Sequence, residues 1–347
     1  MNKIAKLMCL VAVIALVGTS CKKKEEAISC QGTFMEMNVT EEGSKTYKVG
    51  NRIEWDATDK VELFNVPNNN SSCDHGTYSV SGAGGWATFV PGNHAIGVTN
   101  QGAFYGFYPS GNAGNAVGGF QDAWTGDGHV TGLFLLPKEQ QYRTINGMAA
   151  IPQGSLAAAA KDTQTAYLGD VRFNFQAING VLVLSYWIQP QYVATKKVDY
   201  IEVTDKQVHI SGLVQMYIDK INTTELTHWL NQFNPYDPIY MENLLTYKNQ
   251  IGYYIPDPSQ NPYLSKTVKL NCKNEQFPNG VTLGSTPSTA TVFNIALRPA
   301  AFSRGMKIMV HYTDGSWYVP YDTNTNNMIL PNTNMILRTR EVAYNFY

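Results

Sequence analysis

Short apolar runs of β type, each closed by a cluster of Gly, Asn or Pro, recur from Thr33 to the end of the chain. This pattern constrains the fold more than any motif. A run of four to eight residues is too short for most helices, and a strand is stable only beside other strands. Thr33 to Val39 alternates, placing Met35, Met37 and Val39 on one face. Further strands are expected at 60–66, 77–80, 87–90, 103–108 and 132–136, separated by Asn68-Asn69-Asn70, Gly82 to Gly85, Pro91-Gly92 and Gly111 to Gly119. Evenly spaced short strands with turn residues between them predict an all-β sandwich.

A length of 347 residues exceeds what one such sandwich needs, so two domains are expected. Ala157 to Ala160 followed by Lys-Asp-Thr-Gln-Thr is the best linker, because apolar periodicity lapses there. That places an N-terminal sandwich over 30–165 and a C-terminal one over 166–347. In the second, Gly180 to Ile188 is nearly continuously apolar and reads as a strand buried on both faces. Asn179-Gly180 before it and Asp314-Gly315 later are hairpin signals. Strands are also expected at 171–175, 198–203, 208–213, 292–297, 307–312, 317–321 and 335–347. One segment departs from the pattern. Asn222-Thr-Thr-Glu225 is a capping box, followed by Leu226, Trp229, Leu230 and Phe233 at helical spacing. It predicts a short helical insertion, and Asp237-Pro238 can open a second helix running to about Asn249.

The first thirty residues concern destination. Lys3 and Lys6 precede an unbroken apolar stretch, Leu7 to Val17, of eleven residues. A membrane-spanning helix needs about 20, so residues 1–20 read as a signal peptide. The leader ends Leu-Val-Gly-Thr-Ser20-Cys21. Small residues before a cysteine resemble a bacterial lipobox, with cleavage after Ser20 and acylation of the Cys21 thiol; the alternative is ordinary secretory cleavage near Ser20. Each acyl CH2 buried in lipid contributes about 0.8 kcal/mol, so several chains hold a protein on a membrane. Residues 21–29 form a charged tether in which Lys24-Glu25-Glu26 resembles the export signal of Bacteroidota surface lipoproteins. Without Lys3 and Lys6 the chain carries 24 basic residues (26 minus 2) against 27 acidic, a net charge of −3. That balance, with no basic block, argues against nucleic acid as a partner. Cys30, Cys73 and Cys272 remain, at no metal or redox spacing, so at most one disulfide forms and buried free thiols are the alternative.

Catalytic signatures are missing. There is no Gly-x-Ser-x-Gly, His-Glu-x-x-His, Walker loop or Cys-x-x-Cys. The glycine groups lie between strands with no helix following, so they are turns and not phosphate loops. The six histidines form no ligand pair. Asp322-Thr-Asn324-Thr-Asn326-Asn327 begins like a calcium loop, but Asn327 and Thr333 stand where Gly and a bidentate Glu are needed; it reads as an Asn-rich turn. Asp122, Asp127 and Glu139 near Trp124 raise a glycosidase, but sequence does not show the carboxylate spacing that chemistry requires. The plainer reading of Trp86, Trp124 and Tyr105-Gly-Phe107-Tyr108 is packing. No enzyme, cofactor or metal is expected.

The order of patterns is more informative than any one of them. Ile53 to Phe64, Thr77 to Phe89, Ala103-Phe-Tyr-Gly-Phe-Tyr-Pro109, Leu136-Pro-Lys-Glu-Gln-Gln-Tyr142, Phe173 to Leu184, Val198 to Val203, Ile210-Ser-Gly212 and Lys307 to Gly315 resemble, in that order, the Bacteroidales fimbrillin-like family. Two departures are Asn179-Gly180, where relatives often carry Cys-Gly, and the inserted segment 222–250. The resemblance implies two transthyretin-like β-sandwiches and an outer-membrane lipoprotein precursor, exposed at the cell surface, of a pilus subunit or accessory adhesin. It implies partners too: other fimbrial subunits, outer-membrane lipid through Cys21, and a host protein or glycan. In the family an Arg-specific protease cuts behind the first strand, and a strand from the next subunit fills the emptied groove. Here the implied displaced strand carries Met35, Met37 and Val39. The loop behind it offers Lys45, Lys48 and Arg52, with Arg52 the implied cut site. A surface glycan-binding lipoprotein of a polysaccharide-uptake system, using Trp124 or Trp86, is the alternative.

Overall fold

A computed structural model describes residues 28–32, 35–37, 59–67, 74–81, 86–92, 94–96, 102–108, 110, 130–145, 147–152, 154–162, 171–177, 179–207, 209–218, 251–254, 264–298, 300–302, 304–325, 327–329 and 333–342. In chain order the strands are β1 (Ile28–Gly32), β2 (Met35–Met37), β3 (Lys60–Pro67), β4 (Asp74–Ser81), β5 (Trp86–Pro91), β6 (Gly102–Tyr108), β7 (Val130–Leu136), β8 (Glu139–Gln141) and β9 (Arg143–Ile145). Next come β10 (Met148–Ala150), β11 (Ala158–Asp162), β12 (Arg172–Ala177), β13 (Gly180–Trp187), β14 (Lys197–Asp205), β15 (Gly212–Ile218), β16 (Ile251–Tyr254), β17 (Thr267–Asn271) and β18 (Val281–Thr282). The last are β19 (Thr291–Leu297), β20 (Ala300–Phe302), β21 (Met306–Tyr312), β22 (Trp317–Asp322), β23 (Asn327–Ile329), β24 (Thr333–Ile336) and β25 (Arg340–Glu341). The protein is all-β, as the alternation predicts. The expected helical insertion at 222–250 lies outside the described residues.

Seven strands close on themselves in the order β1-β12-β11-β6-β3-β4-β5, with β1 and β5 paired. Among their inward side chains, Leu63, Tyr78, Phe89, Phe104, Phe173 and Phe175 are at most 2% exposed. Fully burying each such side chain contributes about 1.5–3 kcal/mol. A second core lies between the sheet β19-β13-β24-β2 and the sheet β22-β21-β14-β17-β8. Strand β13 serves both. Val181 and Val183 pack into the barrel core, while Leu182, Leu184 and Tyr186 pack into the other. This is the physical content of the continuous apolar run at 180–188: successive side chains leave opposite faces of a strand, and here each face meets a core.

The two cores are not filled by two successive stretches of chain. Strand β12, beyond residue 165, completes the barrel between β1 and β11. Strand β8, before it, pairs with β17, and β7 with β15. The alanine run read as a linker is β11, paired with β6 and β12, with Ala158 and Ala160 buried. Alanine lacks the bulk that reveals alternation in a sequence, and it suits a strand flanked by Phe and Tyr. Asn179-Gly180 is a corner between sheets and not a hairpin, because β12 and β13 pair with different partners. The buried Asn179 side chain accepts a hydrogen bond from the Ala157 N–H at 3.0 Å, fixing that corner to the start of β11. Between β21 and β22 the loop has four residues, Thr313-Asp314-Gly315-Ser316, closed by bonds between Tyr312 and both Gly315 and Ser316. Gly315 has φ +85°, a left-handed position that favours glycine.

Candidate functional site

The N-terminal segment supplies two strands to sheets otherwise built from distant parts of the chain. Strand β1 runs parallel to β12, pairing Cys30 with Phe173 and Gly32 with Phe175. On its other side it runs antiparallel to β5, pairing Ile28 with Phe89 and Gln31 with Trp86. Its backbone therefore bonds on both edges, and without it β5 and β12 would each present an unpaired edge. Among the described residues strand β2 pairs with β24 alone, setting Met35 against Thr333 and Met37 against Met335. Beneath β1 the core is aromatic. The Phe89 and Phe175 rings meet edge to face at 5.8 Å, and Phe173 lies 5.8 Å from Phe175.

Met35 and Met37 thus lie on an edge strand beside the C-terminal β24, while Val39, Ser20, Cys21 and Arg52 lie outside the described residues. The strand embedded in the barrel, Ile28–Gly32, is one the sequence reading missed. Its signal is faint: Ile28 and Cys30 at alternate positions, with Gly32 ending a run of five.

The residues weighed for other chemistry are placed as follows. Asp122, Trp124 and Asp127 lie outside the described residues, and Glu139 is exposed on β8. Three oxygens of the calcium-like loop converge on an ammonium group. Lys206 Nζ lies 2.6 Å from Asp322 Oδ1, 2.7 Å from the Thr323 carbonyl and 2.8 Å from Asn324 Oδ1. A lysine thus satisfies the oxygens that resemble metal ligands in sequence. Three histidines each meet one carboxylate: His75 with Glu62 at 3.0 Å, His94 with Asp74 at 2.7 Å and His311 with Glu202 at 3.4 Å. Burial, then the nearby Arg298 and Lys266, hold the His209 pKa below its usual value. No group of three His, Cys, Asp or Glu that would hold a metal occurs among the described residues. Cys272 is a buried free thiol, with its pKa pushed well up by burial.

No protein-family model matches the chain. No curated protein matches it either. Among solved structures it is similar to a candidate cell adhesion protein from Bacteroides ovatus, at 10% identity and a TM-score of 0.44, covering 90% of this chain and 93% of that one. A candidate cell adhesion protein from Bacteroides uniformis gives 10% identity and a TM-score of 0.44 over 92% and 94% of the two chains. A tip fimbrial protein from Porphyromonas gingivalis with a C-terminal truncation gives 10% identity and a TM-score of 0.31 over 84% and 80%.

Proposed function

We propose that the chain is a fimbrillin-type surface lipoprotein, a pilus subunit or accessory adhesin that polymerises by strand exchange. The observation that carries this reading is the position of β1, a short N-terminal strand bonded on both edges within the barrel. A strand leaving such a place opens a slot whose two edges and apolar floor only another extended segment can fill. The sequence supports the rest. Cys21 stands seven residues before Ile28, so an acylated Cys21 tethers the fold at the outer membrane. Arg52 lies between the N-terminal strands and β3, so cutting after it releases β1 and β2 together. The role needs no catalytic residue and no cofactor.

The test is the N-terminal residue of the protein recovered from the cell surface. Ile53 at the terminus supports cleavage after Arg52 and polymerisation. An acylated Cys21 at the terminus overturns the cleavage and points to an anchoring subunit that keeps its lipid.

A further inference from the structure

The outward face of the sheet β22-β21-β14-β17-β8 carries an ordered row of side chains with no assigned role. Register aligns Trp317 with His311, His311 with Tyr200, Tyr200 with Asn271, and Asn271 with Gln141. These residues alternate with the core residues Val310, Ile201 and Leu270, so they face away from the second core. The row crosses five strands, four steps of about 4.8 Å, or roughly 19 Å. Trp317 is 54% exposed. The His311 and Tyr200 rings stack at 4.1 Å with 14° between planes, and Lys269 Nζ sits 4.1 Å from the Tyr200 ring. These contacts fix the middle of the row. Among the described residues, neither the Asn271 nor the Gln141 side-chain amide has a hydrogen-bond partner.

We propose that this row binds an extended, uncharged carbohydrate chain lying across the strands. The chemistry of the row selects the occupant. The Glu202 carboxylate beside His311 and the Lys269 ammonium over Tyr200 offset each other, so the row does not complement an acidic or a basic polymer. Trp317 is the one large exposed hydrophobic side chain described on this face, too little apolar surface for the core of a protein interface. An indole face packs against the C–H face of a sugar ring. An amide donates and accepts at once, which matches a sugar hydroxyl. Contacts already fixed before binding lower the ordering cost of association. The inference does not depend on strand exchange, since the row lies on a sheet containing neither β1 nor β2.

The test is affinity electrophoresis of the full mature protein through gels containing dextran, xylan or galactomannan. Retardation is expected with at least one of them. Trp317→Ala weakens it about ten-fold or more, the scale of one lost aromatic contact. Asn271→Ala also weakens it, and Val90→Ala, which removes an exposed apolar side chain on the barrel, does not. Both row variants alter outward-facing groups, and thermal melts establish that each is folded. Three results overturn the proposal: no retardation by any of the three polymers, equal retardation of wild type and Trp317→Ala, or a sugar-free dimer in sedimentation that Trp317→Ala abolishes. The last would make the row a contact between copies of the chain.

Discussion

Phe89 on β5 and Phe175 on β12 touch edge to face at 5.8 Å, although β1 lies between their strands. The two rings meet under β1 and form a floor that belongs to the barrel and not to the strand above it. Loss of β1 would therefore uncover a formed aromatic surface and two free strand edges. The floor depends on a missing side chain. A Cβ on Gly106 of β6 would lie 2.6 Å from Phe175 Cζ and 3.1 Å from Leu63 Cδ2.

Gly106→Ala is therefore expected to displace the Phe175 ring and to cost about 1–3 kcal/mol, the usual range for overpacking. Urea unfolding measures it. Adding Phe175→Leu to Gly106→Ala should cost less than the two single effects summed, because the smaller side chain relieves the clash. Strict additivity would mean that the ring does not depend on Gly106.

Much of the fold is legible in the sequence because most strands alternate or carry bulky apolar residues. Lys60–Pro67, Gly180–Trp187 and Met306–Tyr312 are such cases. What is not legible is pairing. β11 is hidden because alanine is small, and β1 because five residues hold little pattern. The crossing of β8 to β17 rests on contacts far apart in the chain. The partner of the Asn-rich turn at 322–327 is hidden for the same reason. The group that satisfies its oxygens, Lys206, is more than a hundred residues away.

Gln140 illustrates such a distant contact. Its buried amide accepts from the Ala296 N–H at 3.0 Å and donates to the Ala296 carbonyl at 2.7 Å, standing in for a peptide group beside β19. Gln140→Ala leaves both backbone groups unpaired. Each buried unsatisfied group costs about 1–3 kcal/mol, so a loss of about 2–6 kcal/mol is expected in urea unfolding. A loss below about 1 kcal/mol would show that water replaces the amide.

Acid stability should report on the β21–β22 turn. Burial pushes the Asp314 carboxyl up, but hydrogen bonds from Lys196 and Ser316 outweigh it and bring the pKa down to about 2. A carboxylate with a depressed folded pKa stabilises the fold above its unfolded value near 4 and loses that contribution as pH falls toward 2. Melting temperature followed from pH 6 to pH 2 should therefore drop less steeply in Asp314→Asn than in wild type. Above pH 5 the variant should melt lower, because Lys196, whose side chain is only 7% exposed, has lost its charge partner. Parallel pH profiles would remove Asp314 from the acid response.

Alkaline stability depends on groups with the opposite sign. Burial, then the neighbouring Cys272, raises Tyr142 to about 12, and burial also pushes the Tyr186 and Tyr312 hydroxyls up. A raised phenol pKa stabilises the fold fully below the unfolded value near 10, and that contribution disappears as pH climbs through the folded value. Melting temperature should hold to about pH 10 and fall between pH 10 and 12, with the fall smaller in Tyr142→Phe. The Tyr142 ring packs against Phe277 and Phe293 at 5.1 Å from each, so Phe keeps the packing while removing the ionisable group. Cys272 shares this environment, and burial holds its thiol in the unreactive neutral form. Iodoacetamide at pH 8 should leave Cys272 unmodified in the native protein and alkylate it in urea, as read by peptide mass. Native labelling of Cys272 would mean that this part of the second core opens under native conditions.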